Sequence, residues 1–494
     1  MSLSSWPFFI FLPVVFIVHY LIGDRWKWAW LLAASFLFYS ALKAPHLLAV
    51  LSLVIAICYG CGIAMDRSSG SGRRRLFWLG TAASLLILVL TKHLPALFSG
   101  FRSVRSSRWL IFVGVSYFVI QAVSYLADVY KGKVQAEKHL GYLALHLAFF
   151  PKLLQGPIER ADHLLPQLKR PYAFDYESVR KGLVLIAWGL FKKVVVADRL
   201  ALFVDPIYGD VRSFSGVALL AATYFYAVQI YCDFSGYTDI ALGSARLFNI
   251  ELTQNFKTPY FATSIADFWR RWHISLSTWL RDYLFLPLSN FLSRRIKSPS
   301  LYGIDSNVAI YCSSTVVTFF LAGVWHGSAW PFVLWGSMHG LYLSWSVVTR
   351  NIRKAVRKRI RRTRWASKPL VAAQTVFSFH LVVLAWIPFR AVRLSDVPRI
   401  LGSITADVKN IFDIGYVRLQ FRGLGLRESD LILAAALVLV VFLIDLLDFR
   451  TGDIWRRLLG SAGWVRWAVY LMIMVAILYL SPYNSANNFI YMKF

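Results

Sequence analysis

His273, His326 and His339, three of the chain's ten histidines, fall in one stretch from Phe268 to Gly340. The stretch opens FWRRWHISLSTWLRDYLFLPL, crosses an apolar run from Val308 to Val324 and ends GVWHGSAWPFVLWGSMHG. His273 and His326 each follow a tryptophan directly. Imidazole titrates nearest neutrality of all side chains, so a neutral histidine is suited to take a proton from a hydroxyl nucleophile. His326 is bracketed by Trp325 and Gly327, with Gly323 one turn earlier and Pro331 soon after. Glycine and proline at that density mark the end or break of a helix. Within a membrane, broken backbone is tolerated only against protein or a water-filled cavity, where an ionisable group is a functional candidate. The residues alone leave two readings of His326 open, a general base and a hydrogen-bonded core histidine. His339 lies thirteen residues further on, about 220° around from His326 if one helix continued, and is expected to be structural.

The segment Phe268–Leu288 carries four charges. At about 100° per residue, Arg270 and Arg281 share a bearing, and Arg271 and Asp282 share the next one. Ser275 and Thr278 fill the same polar arc, with His273 at its edge, while Trp269, Trp272, Leu276, Trp279 and Tyr283 cover the opposite side. One amphipathic helix is predicted. Either it anchors at the interface with its arginines toward lipid phosphates, or it lines the mouth of a site for a phosphorylated ligand. A second polar stretch, QIYCDFSGYTDIALGSARLFN (Gln229–Asn249), places Asp233, Ser235 and Tyr237 in or near the membrane. It is read as a helix break with its cap, or as the polar lining of a cavity. No metal is expected: the histidines lack ligand spacing, and Cys58 and Cys61 form a C-x-x-C inside an apolar run, which suits packing. P-loop, G-x-G-x-x-G and G-x-S-x-G patterns do not occur.

The elements that must position these residues are membrane helices. A composition of 57% hydrophobic residues and a mean hydropathy of +0.54 exceed what a soluble globular chain carries. Apolar runs of spanning length recur throughout, so an all-α polytopic membrane protein with roughly 11 to 13 membrane helices is expected. The net charge of +29 resides in short loops between those runs, as the positive-inside rule places it; no basic folded domain suggests nucleic acid. The basic loops Asp66–Arg75 and Arg350–Arg364 are both expected on the cytoplasmic side, which requires an even number of crossings between them. The apolar runs there give seven (Leu76–Leu90, Trp109–Ala127, Leu140–Leu154, Gly182–Val196, Val217–Phe234, Val308–Val324 and Phe332–Val348), so either one of them does not cross or a further segment does, Phe234–Ile250 being the suspect. The N-terminal run is read as a retained span, the Arg390–Asp430 interval as short surface helices, and residues 1–494 as one integral-membrane domain.

WRRWHISLSTWLRDYLFLPL followed by GVWHG resembles the signature of the membrane-bound O-acyltransferase (MBOAT) family, in particular its bacterial branch typified by alginate O-acetyltransferase. VGVSYFVIQAVSYLADVYKG, FFPKLLQGPIER, YCDFSGYTDIALG, QNFKTPYF and the terminal NNFIYMKF support the match, which covers about residue 110 to the end. The resemblance implies a ring of helices around a funnel or tunnel, with interfacial and re-entrant helices. It implies acyl transfer from a cytoplasmic thioester, acetyl-CoA or an acyl-carrier thioester, serving as substrate with no separate cofactor. His326 matches the family's invariant histidine and His273 its second recurrent polar position, so both are expected to be catalytic. Arg270, Arg271, Ser275, Thr278, Arg281 and Asp282 are then expected at the donor, and Trp325, Asp233, Ser235 and Tyr237 along the cavity. A multi-pass protein of the bacterial inner membrane is implied, with a periplasmic acetyltransferase partner and a polysaccharide acceptor such as alginate, another exopolysaccharide or peptidoglycan. A D-alanyl or other acyl transferase fed by a carrier protein is the near alternative, and a transporter of a lipid-linked glycan the distant one. FLPLSN departs from the family, many members of which carry Gly-Gly there, so a different turn is expected beside the donor site.

Overall fold

The computed structural model describes residues 1–42, 44–97, 114–171, 173–301, 303–361 and 367–482. Three motif segments fall wholly or partly outside them: the terminal NNFIYMKF, the start of the run expected from Trp109, and Arg362–Arg364. The described chain is almost entirely helical, with one two-stranded ribbon pairing Ser300–Leu301 with Ile304–Asp305 antiparallel. Among the described residues, seven helices are long and apolar enough to cross a membrane. It is a multi-pass membrane protein. The expected 11 to 13 membrane helices also counted shorter apolar segments, of which Trp6–Leu21 is an example.

Two compact units divide the chain. The first comprises Met1–Lys193 and Phe234–Gln254. Its helices are α1 (Trp6–Leu21), α2 (Asp24–Ser40), α3 (Pro45–Asp66), α4 (Gly70–Leu97), α5 (Val115–Tyr130), α6 (Leu140–Ala148), α7 (Phe150–Leu153), α8 (Ala161–Lys169) and α9 (Tyr176–Leu190). A π-helical turn, Phe191–Ala197, carries α9 into α10 (Asp198–Gly209), and α11 (Gly216–Arg246) gives its second half to this unit. α5 is buried along nearly its whole length. Cys61 of α3 packs on Gly80 of α4, where a Cβ would lie 3.0 Å from its sulfur, so the C-x-x-C is used for packing; all four cysteines are free thiols.

Three expectations change here. Leu140–Leu154 does not span: the helix stops after nine residues at Ala148, about 14 Å against roughly 30 Å of hydrocarbon. The break is fixed by the Phe150 amide donating to Ser35 Oγ at 3.0 Å. Gln229–Asn249 is not broken at Gly236 either, and Phe234–Ile250 is no separate crossing, because α11 runs unbroken through Gly236 and Asp239 to Arg246. Its glycines serve contact. A Cβ on Gly236 would lie 2.7 Å from the Gly189 carbonyl oxygen, and one on Gly243 would lie 2.4 Å from that of Gly182. Small residues let α9 and α11 pack backbone to backbone, the usual solution where lipid supplies no hydrophobic drive.

The second unit comprises Val194–Asp233 and the described residues from Asn255 on. After α10 and the first half of α11 come α12 (Ile265–Trp269), α13 (Ile274–Leu280), a π turn (Arg281–Phe285), α14 (Leu286–Arg295), α15 (Ser306–His326), α16 (Trp330–Val348) and α17 (Arg350–Arg361). They are followed by α18 (Ser367–Arg390), α19 (Asp396–Asp407), α20 (Ile414–Arg422), α21 (Glu428–Thr451), α22 (Ile454–Leu459) and α23 (Gly463–Leu480). The basic segment from Arg350 is thus a helix and not a loop. Nothing acidic occurs between Asp305 and Asp396, so it has no local carboxylate partner. Short helices fill Arg390–Asp430, as its mixed composition suggested.

The hairpin of α15 and α16 is closely packed. A Cβ on Gly323 would fall 2.5 Å from the Phe332 carbonyl oxygen, and one on Gly336 would fall 2.2 Å from that of Phe319. Gly327, Ser328 and Ala329 make the turn, so His326 ends one helix and His339 belongs to the next.

Candidate functional site

His326 is the last residue of α15 and is buried. Aromatic rings enclose it. The indole of Trp335 stands edge-on at 4.8 Å between centroids and 88° between planes, with Phe389 at 5.2 Å and Trp325 at 4.9 Å. Phe389 also touches Trp335 at 5.0 Å. The cage is completed from α18, where Trp386 stacks on Trp335 at 6.2 Å, and from the FWRRWH stretch, where Trp272 meets Trp386 at 5.1 Å. Interactions formed within such apolar walls are weakly screened.

The predicted helix over Phe268–Leu288 is broken, which corrects the shared bearings inferred for its arginines. α12 ends at Trp269, and His273 adopts a left-handed backbone (φ 43, ψ 54) at the start of α13. Asn255 pins the break: its carbonyl accepts from the Ile274 amide at 3.0 Å and its Oδ1 accepts from the Ser275 amide at 3.1 Å. Ser275 is therefore buried beside Asn255. His273 is buried too, at 1% exposure, and not at the rim of a polar arc. Burial pushes its imidazole down to about 3, so it remains neutral at ordinary pH.

Arg270, Thr278 and Arg281 come together despite the break. With Ser277, Thr315 and Thr318 they line a cavity of about 500 Å³ walled by Trp269, Phe285, Tyr311 and Phe319. Its size and mixed lining suit an elongated small molecule with an anionic end. Arg271 is engaged elsewhere, 3.1 Å from Asp267 and 3.4 Å from Thr258 Oγ1. Asp282 holds Arg281 at 2.8 Å in an exposed pair, weak enough for a phosphate to displace. Trp269, on the cavity wall, donates from Nε1 to His339 Nδ1 at 3.3 Å, so His339 is tied into the packing, as expected.

Asp233, Ser235 and Tyr237 are all buried on α11. Ser235 and Tyr237 belong to the first unit, and Asp233 to the second. Ser235 accepts from Lys192 Nζ at 2.8 Å, and the same ammonium meets Asp239 at 2.7 Å. Ser235 and Asp239 thus meet the ammonium of Lys192, which the π turn carries. Among the described residues no cluster of histidine, cysteine or carboxylates could hold a metal.

A sequence profile of the membrane-bound O-acyltransferase family matches residues 31–385. The chain belongs to that family. The MBOAT chain is 33% identical to a "probable alginate O-acetylase AlgI" of Azotobacter vinelandii, over 80% of its own length and 76% of the relative's. It is 30% identical to a Pseudomonas putida protein of the same description over 98% of both chains. A Helicobacter pylori peptidoglycan O-acetyltransferase is also 30% identical, over 81% of this chain and 79% of that one. The MBOAT chain is accordingly an O-acyltransferase.

Two residues of the site went unnoticed from sequence. Asn255 stands in QNFKTPYF, which was visible only as a motif without a role. Trp335 is one of 19 tryptophans, and nothing in spacing along the chain distinguishes it. Its glycine neighbour, with Gly323 and Gly340, was the available signal for a close helix crossing.

Proposed function

We propose that this protein is an inner-membrane O-acetyltransferase that takes an acetyl group from a cytoplasmic thioester, acetyl-CoA, for O-acetylation of an extracytoplasmic polysaccharide. A periplasmic acetyltransferase partner completes delivery to the polymer. The observation that carries the reading is His326, buried at a helix end inside an aromatic cage and matching the family's invariant histidine. The relatives' descriptions, alginate O-acetylase and peptidoglycan O-acetyltransferase, support acetyl as the group and a glycan as its destination.

In this reading the donor's phosphates meet Arg270 and Arg281, and its thioester arm lies in the cavity. His326 takes the proton of the attacking hydroxyl as the oxygen bonds to the thioester carbonyl carbon, and returns it to the departing thiolate. His273 acts beside it as a neutral hydrogen-bonding group. Ser275 and Arg271 hold the broken helix in shape, Asp282 is the exchangeable partner of Arg281, and Trp325 walls the base.

Purified protein supplied with labelled acetyl-CoA and an oligosaccharide acceptor tests the proposal. Wild type transfers label, and His326→Ala loses at least about 10³-fold of the rate, the scale at which general base catalysis contributes, while still inserting into the membrane. Transfer retained by His326→Ala refutes the base. Transfer only from an acylated carrier protein would replace acetyl-CoA as donor.

A further inference from the structure

Acyl transfer needs a hydrogen-bond donor as well as a base, because the carbonyl oxygen becomes an anion when the hydroxyl adds. Of the rings that contact His326, Phe389 has no N–H, and Trp325, whose Nε1 is also buried, is only partly buried as a residue. Trp335 differs on both counts. It is 1% exposed, its ring centroid lies 4.8 Å from that of His326, and its buried Nε1–H meets no acceptor among the described residues. An unpaired buried N–H costs stability, so its retention at a reactive centre asks for an acceptor that arrives with the substrate.

We propose that Trp335 Nε1–H is an oxyanion donor of the transfer reaction, holding the thioester carbonyl oxygen while His326 acts on the nucleophile. The inference rests on the acyl-transfer reading of the same site. The acceptor's hydroxyl oxygen bonds to the carbonyl carbon and its proton passes to a ring nitrogen of His326. The carbonyl π pair moves onto oxygen, where the indole N–H binds it. Collapse restores the carbonyl, breaks the C–S bond and sends the pair to sulfur, which takes the proton back from the imidazolium. Nothing else is consumed. The donor is pre-positioned, as this kind of stabilisation requires: Gly336, the next residue, is locked against Phe319 and Gly323, and the indole is held by Phe389 at 5.0 Å and Trp386 at 6.2 Å.

The decisive variant replaces the Trp335 indole by benzothiophene through an unnatural amino acid, exchanging N–H for sulfur at nearly constant shape; Trp335→Phe is the companion. The expected result is a fall in kcat of about 10²–10³-fold, the range for loss of one oxyanion donor. The KM for acetyl-CoA should stay within about twofold, because the bond strengthens only in the transition state. The thermal midpoint in detergent should hold or rise for the benzothiophene protein, since a buried unpaired donor has gone. A merely structural Trp335 would give the opposite pattern, a lowered midpoint with kcat retained. A benzothiophene protein turning over at the wild-type rate overturns the assignment. Should His326→Ala also turn over normally, the acyl-transfer reading fails at its base, whereas loss there with an unaffected Trp335 variant rejects the oxyanion donor alone.

Discussion

Gly336→Ala tests whether the spacing of α15 and α16 sets the reactive geometry. The added methyl would sit 2.2 Å from the Phe319 carbonyl oxygen and 3.0 Å from the Gly323 amide nitrogen, where ordinary contact begins near 3.4 Å. Both obstacles are backbone, so no rotamer change relieves them, and the helices must part by about 1.2 Å. Overpacking of this kind costs typically 1–3 kcal/mol, with the upper end expected here. Alanine returns about 1 kcal/mol through its higher helix propensity, leaving a net loss of about 2 kcal/mol. The larger effect is on rate. Gly323 lies three residues before His326 and Gly336 directly after Trp335, so parting the helices at this point separates base from indole. A misplacement of about 1 Å costs on the order of 10²-fold. Thermal unfolding in detergent and acetyl turnover would be measured on the same preparation. Gly402→Ala serves as control, since a Cβ there meets nothing within 4 Å and only the propensity gain remains. Full turnover by Gly336→Ala with a lowered midpoint would show that the hairpin spacing supports the fold but not the chemistry, and the reasoning would be wrong.

Two further outcomes follow from the neighbouring residues. Arg281→Ala or Arg270→Ala should raise the KM for acetyl-CoA about tenfold each with kcat nearly unchanged, as expected for one charge-assisted bond to a donor phosphate; a dephospho-donor should show a smaller difference between variant and wild type. Asn255→Ala should destabilise the protein by about 1–3 kcal/mol, because the Ser275 amide is left buried and unpaired; an unchanged midpoint would mean that the break at His273 holds without it.

Much of this organisation was legible in the chain. The apolar runs announced a membrane protein because hydrocarbon requires long uninterrupted helices, and the glycine-proline punctuation after Val324 foretold that His326 ends a helix. Periodicity misled where the chain leaves the helix without a glycine or proline to say so. Trp272 and His273 interrupt the predicted helix through a left-handed residue pinned by Asn255, and that partner lies eighteen residues upstream. The reverse error occurred at Gly236, where glycine suggested a break in a helix that continues, since the residue was needed for close approach to Gly189. Local patterns report what a segment prefers, not which distant backbone will lie against it. The role of Trp335 is invisible for the same reason, being defined by what surrounds its N–H.

The glycine pairs of α9 and α11 stand seven residues apart on each helix, Gly182 with Gly189 and Gly236 with Gly243, matched in antiparallel order. Seven residues is close to two full turns, so both pairs face the same seam only while that count is kept. One residue inserted between Gly182 and Gly189 would swing one of them about 100° out of the seam and bring a side chain against bare backbone. The tolerated places for length change, and for splicing in a reporter domain, are therefore the exposed turns beyond the helix ends, such as that at Arg212 and Ser213. Within the seam, residue number itself is under constraint, independently of residue type.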